Sequence, residues 1–251
     1  MTEQSTPKIA LIDADFLAYS VGFACEDDAD SRMAKNRLTE WLTDFVYMDL
    51  KCDDYVAYTT GPGNYRYQVA KTVPYKGNRK DMKRPKYLDE LKEHLHKLGA
   101  VETKGIEADD AVATLNHSEP GKYIMVHVDK DLNQLPGWHY NPNKCERYFV
   151  DVLEATHNFW MQMLTGDRVD NIPGLAGIGP KKAEKILKDC LDYYQHEQAV
   201  WKAYQDKGHG YDYFVEQGQL LWLQRYEGEV WQPDESIVKN RQDSNMGTDQ
   251  G

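Results

Sequence analysis

Four short groups of acidic residues could together bind divalent metal ions. Hard cations such as Mg²⁺ prefer carboxylate oxygens, and side chains two apart in a strand or three apart in a helix lie on one face. The groups are Asp13 with Asp15, Glu107 with Asp109 and Asp110, Asp129 with Asp131, and Asp167 with Asp170. One such group is ordinary, but four in one chain indicate that the carboxylates converge on one site.

Two of these groups come directly after apolar stretches that are typical of buried strands. Residues 8–12 precede Asp13, and residues 122–128 precede Asp129. In open α/β sheets ligands gather at the carboxyl ends of the strands, so acids there are good candidate ligands. Asp15 has an alternative role as the N-cap of a helix over residues 16–23, which leaves Asp13 as the better candidate.

The other two groups are expected in helical turns. Asp167 and Asp170 are three apart, which predicts one helical turn that ends over residues 171–173. Residues 105–115 open a helix whose first turn contains the acids from Glu107 to Asp110. A helix dipole favours acids in a first turn even without a metal, and that alternative stays open.

A glycine-rich turn with lysines could bind a phosphodiester. The turn contains Gly174, Gly177 and Gly179, and the helix that follows begins at Pro180 and carries Lys181, Lys182 and Lys185. Glycine permits a close backbone approach, and the positive end of a helix favours phosphate. The alternative is an ordinary Gly/Pro connection with solvated lysines. The motif lacks the Gly-Lys-Ser/Thr of a P-loop.

A basic strip lies between Lys71 and Lys86, in a chain whose formal net charge is −11. The strip holds seven basic residues against one acid, Asp81. An acidic total counts against a nucleic-acid partner, but a local basic surface can still attract phosphate. The alternative for this strip is a solvated loop.

Apolar periodicity and composition predict the remaining organisation. Helices are expected over residues 32–50, 87–98, 152–164, 181–191, 193–204 and 211–226, and short strands over residues 55–58, 65–69, 138–140 and 147–150. Such alternation predicts an α/β fold with a mostly parallel central sheet flanked by helices. Residues 238–251 are polar and are expected to be disordered.

The four cysteines form no CxxC pair, which favours reduced thiols over disulfides or structural zinc. The beginning of the chain has no apolar run long enough for a signal or membrane segment. We therefore expect a soluble, cytoplasmic protein that has no membrane partner.

Four motifs, taken together and in this order, resemble the 5′-nuclease superfamily. They are Tyr-Lys-Gly-Asn-Arg over residues 75–79, the acidic helix start over residues 107–110, Asp-Lys-Asp-Leu over residues 129–132, and the glycine-rich segment over residues 164–187. The superfamily includes flap endonucleases, bacteriophage 5′→3′ exonucleases and the 5′-nuclease domain of bacterial DNA polymerase I. The resemblance covers about residues 8–231.

The resemblance implies a fold and an activity. It implies a PIN-like nuclease core over residues 8–164 with an arch-like basic segment over residues 71–98, and a DNA-binding helix–three-turn–helix region over residues 165–231. The implied protein is a monomeric 5′→3′ exonuclease or flap endonuclease that acts on DNA and, by extension, on the RNA strand of RNA–DNA hybrids. It uses two Mg²⁺ or Mn²⁺ ions, with K⁺ bound at the glycine-rich turn.

The resemblance also implies roles for individual residues. Lys76 and Arg79 would act at the scissile phosphate, and Tyr75 would stack on the terminal base. The implied metal ligands are Asp13, Glu107, Asp109, Asp110, Asp129, Asp131, Asp167 and Asp170. The implied DNA contacts are Tyr75, Lys76, Arg79, Lys80, Lys83, Gly177, Gly179, Lys181 and Lys182.

One acidic ligand of the family pattern is absent. Family members usually carry an aspartate after the second strand, where this chain has Thr59 or Thr60. The loss could weaken one metal site, or a water or threonine hydroxyl could replace the carboxylate. Two other classes stay open: a catalytically impaired, structure-specific DNA-binding protein of the same fold, and an unrelated acidic α/β protein.

Overall fold

The chain forms two units, and both combine stretches that are far apart in sequence. The structure is a computed structural model that describes residues 7–80 and 82–237. Unit 1 contains the described part of residues 1–65, 81–151 and 223–228, and unit 2 that of residues 66–80, 152–222 and 229–251. The units therefore do not follow the expected division after residue 164. The tail predicted to be disordered, residues 238–251, lies outside the described residues.

Unit 1 is built on a six-stranded sheet. In chain order the strands are β1 (Ile9–Asp13), β2 (Asp54–Thr59), β3 (Val101–Glu102), β4 (Tyr123–Val126), β5 (Gly137–Asn141) and β6 (Glu146–Val150). Their order across the sheet is β3-β2-β1-β4-β5-β6. Neighbouring strands are parallel except β5 and β6, which form an antiparallel hairpin. The predicted α/β class with a mostly parallel sheet is confirmed.

The helices fall into both units. In chain order they are α1 (Asp15–Ala24), α2 (Ser31–Asp44), α3 (Arg66–Val69), α4 (Leu88–Lys97), α5 (Ala108–Ser118), α6 (Val152–Thr165), α7 (Pro180–Leu187), α8 (Tyr193–Asp206) and α9 (Tyr211–Leu221). A π-helical turn, Phe45–Asp49, continues α2. Helices α1, α2, α4 and α5 belong to unit 1, and the others to unit 2. Within the described part of the chain, no helix has the length and apolar character that spanning a bilayer requires.

Both faces of the central strands are buried. Ala10 and Ile12 of β1 pack in one apolar cluster with residues of α1, α2 and α4, whereas Leu11 packs in another with residues of α5. Successive side chains of a strand point to opposite faces, so a strand covered on both sides must be apolar throughout. This constraint explains why β1 and β4 were evident in the sequence.

Unit 2 has its own, largely aromatic core. Phe159 and Trp160 of α6 pack with Tyr204 of α8, Phe214 of α9 and Trp231. Their ring centroids lie between 4.8 and 6.4 Å apart for the pairs of Trp160 with Phe159, Phe214 and Trp231. Edge-to-face and stacked rings at such distances add to the stability that apolar burial gives.

Two predicted elements differ in the structure. Residues 65–69, predicted as an edge strand, form the short helix α3, so that prediction was wrong. The buried Arg66 guanidinium donates hydrogen bonds to the carbonyls of Leu220 and Trp222, and such a tertiary contact overrides the local preference for a strand. The helix predicted over residues 211–226 ends at Leu221.

Residues 166–174, which we call the acidic loop, follow α6 and fold back on themselves. The backbones of Asp167 and Ile172 exchange two hydrogen bonds, of 2.8 and 2.7 Å. Gly166 and Gly174 have φ values of +69° and +59°, which favour glycine. The helical turn predicted for Asp167 and Asp170 was therefore wrong, because α6 ends at Thr165 and both acids lie in this loop.

Gly174→Ala should reduce the free energy of unfolding much more than Gly177→Ala. Both glycines have positive φ, so each substitution adds left-handed strain of about 1 kcal/mol. A Cβ on Gly174 would also lie 2.2 Å from the backbone nitrogen of Gly166, whereas nothing lies within 4 Å of one on Gly177. We expect a loss of about 3 kcal/mol or more for Gly174→Ala, measured by urea denaturation with tryptophan fluorescence. Equal losses for the two variants would contradict the closed loop.

Candidate functional site

Three of the four acidic groups meet at the carboxyl edge of the sheet in unit 1. Asp13 ends β1, Asp129 follows the neighbouring strand β4, and Glu107 is the N-cap of α5. Desolvation, together with the negative charges of Asp15, Asp129 and Glu107, raises the pKa of Asp13 to about 8. The backbone N–H of Asp15 donates to the Asp13 carboxylate and opposes this rise. The mutual repulsion of these groups makes the edge a place where added positive charge is favourable.

Part of the acidic group on α5 has a structural role. Glu107 and Asp110 form a capping box, in which each side chain accepts a hydrogen bond from the backbone N–H of the other. Asp110 is fully buried, and its Oδ1 also accepts from the N–H of Gln224 at 3.1 Å. The carboxylate of Asp109 accepts from the N–H of Asp110. The predicted ligand Asp110 is thus tied to the start of α5, as the helix-dipole alternative allowed.

Asp129 and Asp131 lie in the turn after β4. The Asp129 carboxylate accepts from the N–H of Asp131 at 2.9 Å and caps the 3₁₀ helix Lys130–Gln134. Asp129 itself is exposed. The turn therefore presents one carboxylate to solvent beside the partly buried Asp13.

A buried pair of histidines supports this turn, and the sequence did not reveal it. Nδ1 of His127 lies 2.5 Å from the carbonyl oxygen of Asp129, and its Nε2 lies 2.8 Å from Nδ1 of His139. Nε2 of His139 lies 2.9 Å from the carbonyl oxygen of Leu135. Burial lowers the pKa of His127 to about 3 and that of His139 to about 4, so both rings are neutral near pH 7. Two neutral rings carry two N–H protons for these three contacts.

Asp15 and Lys92 lie at the end of β2, where the family pattern has an aspartate. Asp15 does not cap α1, because the N-cap is Ala14, so the alternative role predicted for Asp15 was wrong. Its Oδ2 accepts from the N–H of Thr60 at 3.0 Å, and its Oδ1 lies 2.7 Å from Nζ of Lys92. The same ammonium donates to the carbonyl of Thr60 at 3.0 Å. A lysine cation thus balances a carboxylate at the position of the missing acid.

The hydroxyls of the two threonines at this position are engaged in hydrogen bonds. The hydroxyl of Thr59 lies 2.8 Å from Nε2 of His96, and that of Thr60 accepts from the N–H of Ala108 at 2.9 Å. Thr59 is fully buried. These contacts join β2 to α4 and to the start of α5.

In unit 2, Asp170 lies among positively charged side chains. Its carboxylate forms ion pairs with Arg79 and with Lys76, whose Nζ is 3.7 Å away, and it accepts from the hydroxyl of Tyr75 at 2.8 Å. Asp167 has a different environment: its Oδ1 accepts from the N–H groups of Val169 and Asp170 at 2.6 and 3.1 Å. Within this unit the predicted ligand Asp170 is the counterion of the predicted catalytic cations.

Hydrogen bonds to backbone carbonyls fix residues 74–79 against the acidic loop. Asn171 donates to the carbonyl of Pro74 at 2.8 Å, and Asn78 donates to that of Arg168 at 2.7 Å. The N–H of Lys76 donates to the carbonyl of Asp170 at 2.8 Å. Lys76 and Asn171 both have left-handed φ values, of +52° and +60°, which are uncommon outside glycine. Residues held in such conformations by their surroundings are frequent at functional sites.

The remaining predicted DNA contacts are exposed in both units. Lys181 and Lys182 are exposed on the first turn of α7, which begins at Pro180 as predicted, and Gly179 is its N-cap. The ammonium of Lys182 donates to the carbonyl of Gly177 at 2.8 Å, so a K⁺ ion bound at this carbonyl would have to displace it. Lys80 is exposed in unit 2, and Lys83 pairs with Glu26 at 2.9 Å in unit 1.

We call the carboxyl edge of the sheet with Asp13, Glu107 and Asp129 the acidic edge. It fits a hard cation that retains several of its water ligands. Across residues 7–80 and 82–237, no three His, Cys, Asp or Glu side chains are grouped so as to hold one ion. Mg²⁺ is commonly bound through one or two carboxylates and several waters, so such a group is not required. The donors are carboxylate oxygens, and burial together with the nearby negative charges raises the pKa of Asp13. A divalent cation fits both properties.

The chain is similar in sequence to proteins named flap endonuclease Xni and DNA polymerase I. No family model matches the chain. Over 196 residues it is 29% identical to the flap endonuclease Xni of Shewanella putrefaciens, which covers 72% of this chain and 74% of that protein. Over 111 residues it is 38% identical to DNA polymerase I of Rhizobium leguminosarum, which covers 38% of this chain but only 10% of the polymerase.

A solved structure gives the same fold. The flap endonuclease of bacteriophage T5, in a complex with DNA and metal ions, has a TM-score of 0.64 at 16% sequence identity. The match covers 85% of this chain and 88% of the phage protein. The chain is thus similar in sequence to proteins named flap endonuclease Xni and DNA polymerase I, and it has the fold of the T5 flap endonuclease.

Proposed function

We propose that the protein is a divalent-metal-dependent 5′ nuclease that hydrolyses phosphodiester bonds of DNA, as an exonuclease or a flap endonuclease. The observation that carries this proposal is the acidic edge of unit 1, where Asp13, Glu107 and Asp129 lie together and where burial and the neighbouring carboxylates raise the pKa of Asp13 to about 8. A chain gains no stability from placing like charges together, so their clustering is typical of a functional site. The relatives that are named flap endonucleases support the same activity.

Asp13, Glu107 and Asp129 are the residues of unit 1 that would hold a divalent cation, with Asp109 and Asp131 as adjacent acids. When bound, such a cation would activate a water molecule as the nucleophile and would stabilise negative charge on the departing oxygen. Burial and the repulsion of neighbouring carboxylates raise the pKa of Asp13, and a bound cation would offset both, so Asp13 would give up its proton on binding. A pair of ions, and Asp167 and Asp170 as further ligands, remain predictions.

The basic residues of unit 2 would bind the phosphates. Lys76 and Arg79 are positioned by Asp170 and would stabilise the negative charge that develops on the scissile phosphate. Lys181 and Lys182 at the start of α7 would bind the duplex backbone, assisted by the positive end of the helix. The action on RNA–DNA hybrids, the K⁺ ion, the monomeric state and the choice between Mg²⁺ and Mn²⁺ remain predictions.

A second candidate is a DNA-binding relative without turnover. The observation that favours it is the ammonium of Lys92 beside Asp15, at the position where the family pattern has a carboxylate. Cleavage assays separate the two candidates. A 5′-flapped and a blunt duplex, labelled at either end, would be incubated with Mg²⁺, Mn²⁺ or EDTA. Metal-dependent products cut from the 5′ side support the nuclease, whereas bound but intact substrates under every metal support the second candidate.

Asp129→Asn should reduce cleavage about 100-fold or more while DNA binding stays within about twofold. The substitution removes a negative ligand, and a bound metal contributes several kcal/mol to stabilising the transition state. The measurement is single-turnover cleavage together with equilibrium binding in EDTA. The control is Asp53→Asn, an exposed acid before β2 in the same unit, which should cleave like the wild type. An active Asp129→Asn protein would rule out Asp129 as a ligand.

Lys181→Ala combined with Lys182→Ala should weaken duplex binding and flatten its salt dependence. Each lost phosphate contact lowers the slope of log K against log salt by about 0.9, so the double variant should lose up to about two units of slope. The measurement is fluorescence anisotropy with duplex DNA in EDTA between low and moderate salt. A matched pair, Lys202→Ala with Lys207→Ala on the exposed end of α8, should keep the wild-type slope. Equal slopes for both double variants would remove the proposed role of α7.

A further inference from the structure

The tyrosine expected to stack on a DNA base is enclosed by protein. Tyr75 is 3% exposed and belongs to the aromatic core of unit 2. Its hydroxyl donates to Asp170, and Nζ of Lys76 lies 5.1 Å from the centroid of its ring. The Tyr75 ring thus helps to position Lys76 and Arg79. A nucleobase could not stack on it without displacing these neighbours.

A second tyrosine lies against Tyr75 and is open to solvent. Tyr67 of α3 is 60% exposed, and its ring meets that of Tyr75 edge to face, at 5.5 Å between centroids and an interplanar angle of 74°. The edge-to-face contact holds the Tyr67 ring from one side. Tyr75 therefore fixes the orientation of an exposed aromatic ring.

The backbone that carries Tyr67 is firmly anchored in unit 2. The neighbouring Arg66 is 2% exposed, and its guanidinium donates to the carbonyls of Leu220 and Trp222 at 3.0 and 2.8 Å. Immediately after α3, Glu216 accepts hydrogen bonds from the N–H groups of Lys71 and Thr72, both at 2.8 Å. An exposed ring on a fixed backbone loses little conformational freedom when it binds, which favours affinity.

Basic residues lie close to Tyr67 in the sequence and beside its neighbour Tyr75 in the structure. Lys71 and Lys80 are exposed in unit 2. The ammonium of Lys76 lies over the Tyr75 ring, and Arg79 pairs with Asp170, the hydrogen-bond partner of the Tyr75 hydroxyl. Proteins that bind single strands combine aromatic rings, on which bases stack, with cations that bind the phosphates. A tyrosine near lysines and arginine therefore fits a nucleobase whose own phosphate is held by the cations.

We propose that Tyr67, supported by Tyr75, is the stacking platform for an unpaired nucleobase near the end of the DNA strand. The inference rests on the proposed nuclease function, because it names the part of the substrate that this region of unit 2 recognises. Stacking needs only the flat face of a base, so this contact would select single-stranded ends over paired ones and would be tolerant of sequence.

The test is binding of single-stranded oligonucleotides in EDTA, so that no cleavage interferes. Each oligonucleotide carries the fluorescent base 2-aminopurine at one of the first three positions from the 5′ end, and its fluorescence decreases when the base stacks. The variants are Tyr67→Ala, Tyr67→Trp and Tyr226→Ala. Tyr226 is also 60% exposed but belongs to unit 1, so it controls for the loss of an exposed tyrosine.

We expect the wild type and Tyr67→Trp to quench 2-aminopurine in at least one position. Tyr67→Ala should lose this quenching and bind about tenfold more weakly, whereas Tyr226→Ala should behave like the wild type. An oligonucleotide that lacks the base at the quenched position should bind the wild type and Tyr67→Ala equally. Thermal unfolding checks that each variant is folded.

The outcomes separate the inference from the proposed function. If Tyr67→Ala matches Tyr226→Ala in quenching, in affinity or in both, Tyr67 is not the stacking residue. The nuclease proposal is unaffected by that result. If the wild type binds neither these oligonucleotides nor flapped duplexes, the proposed function fails and the inference fails with it.

Discussion

Repulsion between carboxylates at the carboxyl edge of the sheet is the constraint on which unit 1 depends. A parallel sheet brings the ends of β1 and β4 side by side, and in this chain both ends lead into acids. The surrounding residues reduce the cost without removing it. Backbone N–H groups donate to Asp13 and Asp129, and Lys92 pairs with Asp15. Burial and the negative charge that is left raise the pKa of Asp13, and a site with this property attracts cations.

In unit 2 an acidic side chain is paired with cations instead of lying beside other acids. Its acidic loop supplies one carboxylate, Asp170, to two cations and a phenol, so the acid orients the bases instead of repelling its neighbours. The loop can do so because Gly166 and Gly174 let its ends meet. Local backbone strain at Lys76 and Asn171 indicates that the arrangement is held by the surrounding hydrogen bonds. Lys76 and Arg79 would also be able to pair with phosphate oxygens, which carry negative charge as the Asp170 carboxylate does.

The sequence predicted features that depend on neighbouring residues. The apolar runs of β1 and β4, the acids that follow them and the start of α7 at Pro180 were all evident, because strand burial and helix initiation have local signatures. The pairing of Asp15 with Lys92 and of Asp170 with Arg79 joins residues far apart along the chain, and no local pattern reports it. The same reason explains the error over α3, whose buried Arg66 binds carbonyls more than 150 positions later. The histidine pair escaped notice because His127 lies inside an apolar strand run.

The long reach of these contacts has a consequence for the order of events during synthesis. Arg66 needs the carbonyls of Leu220 and Trp222, and Asp110 needs the N–H of Gln224. Each unit can therefore complete these hydrogen bonds only after residues 220–224 have been synthesised. A ribosome adds about 5–20 residues per second, so a nascent chain passes several seconds with its acidic edge and its basic segment still unsupported. A protein of this design matures late, when nearly all of the described chain has left the ribosome, and contacts of such high sequence separation slow its folding further.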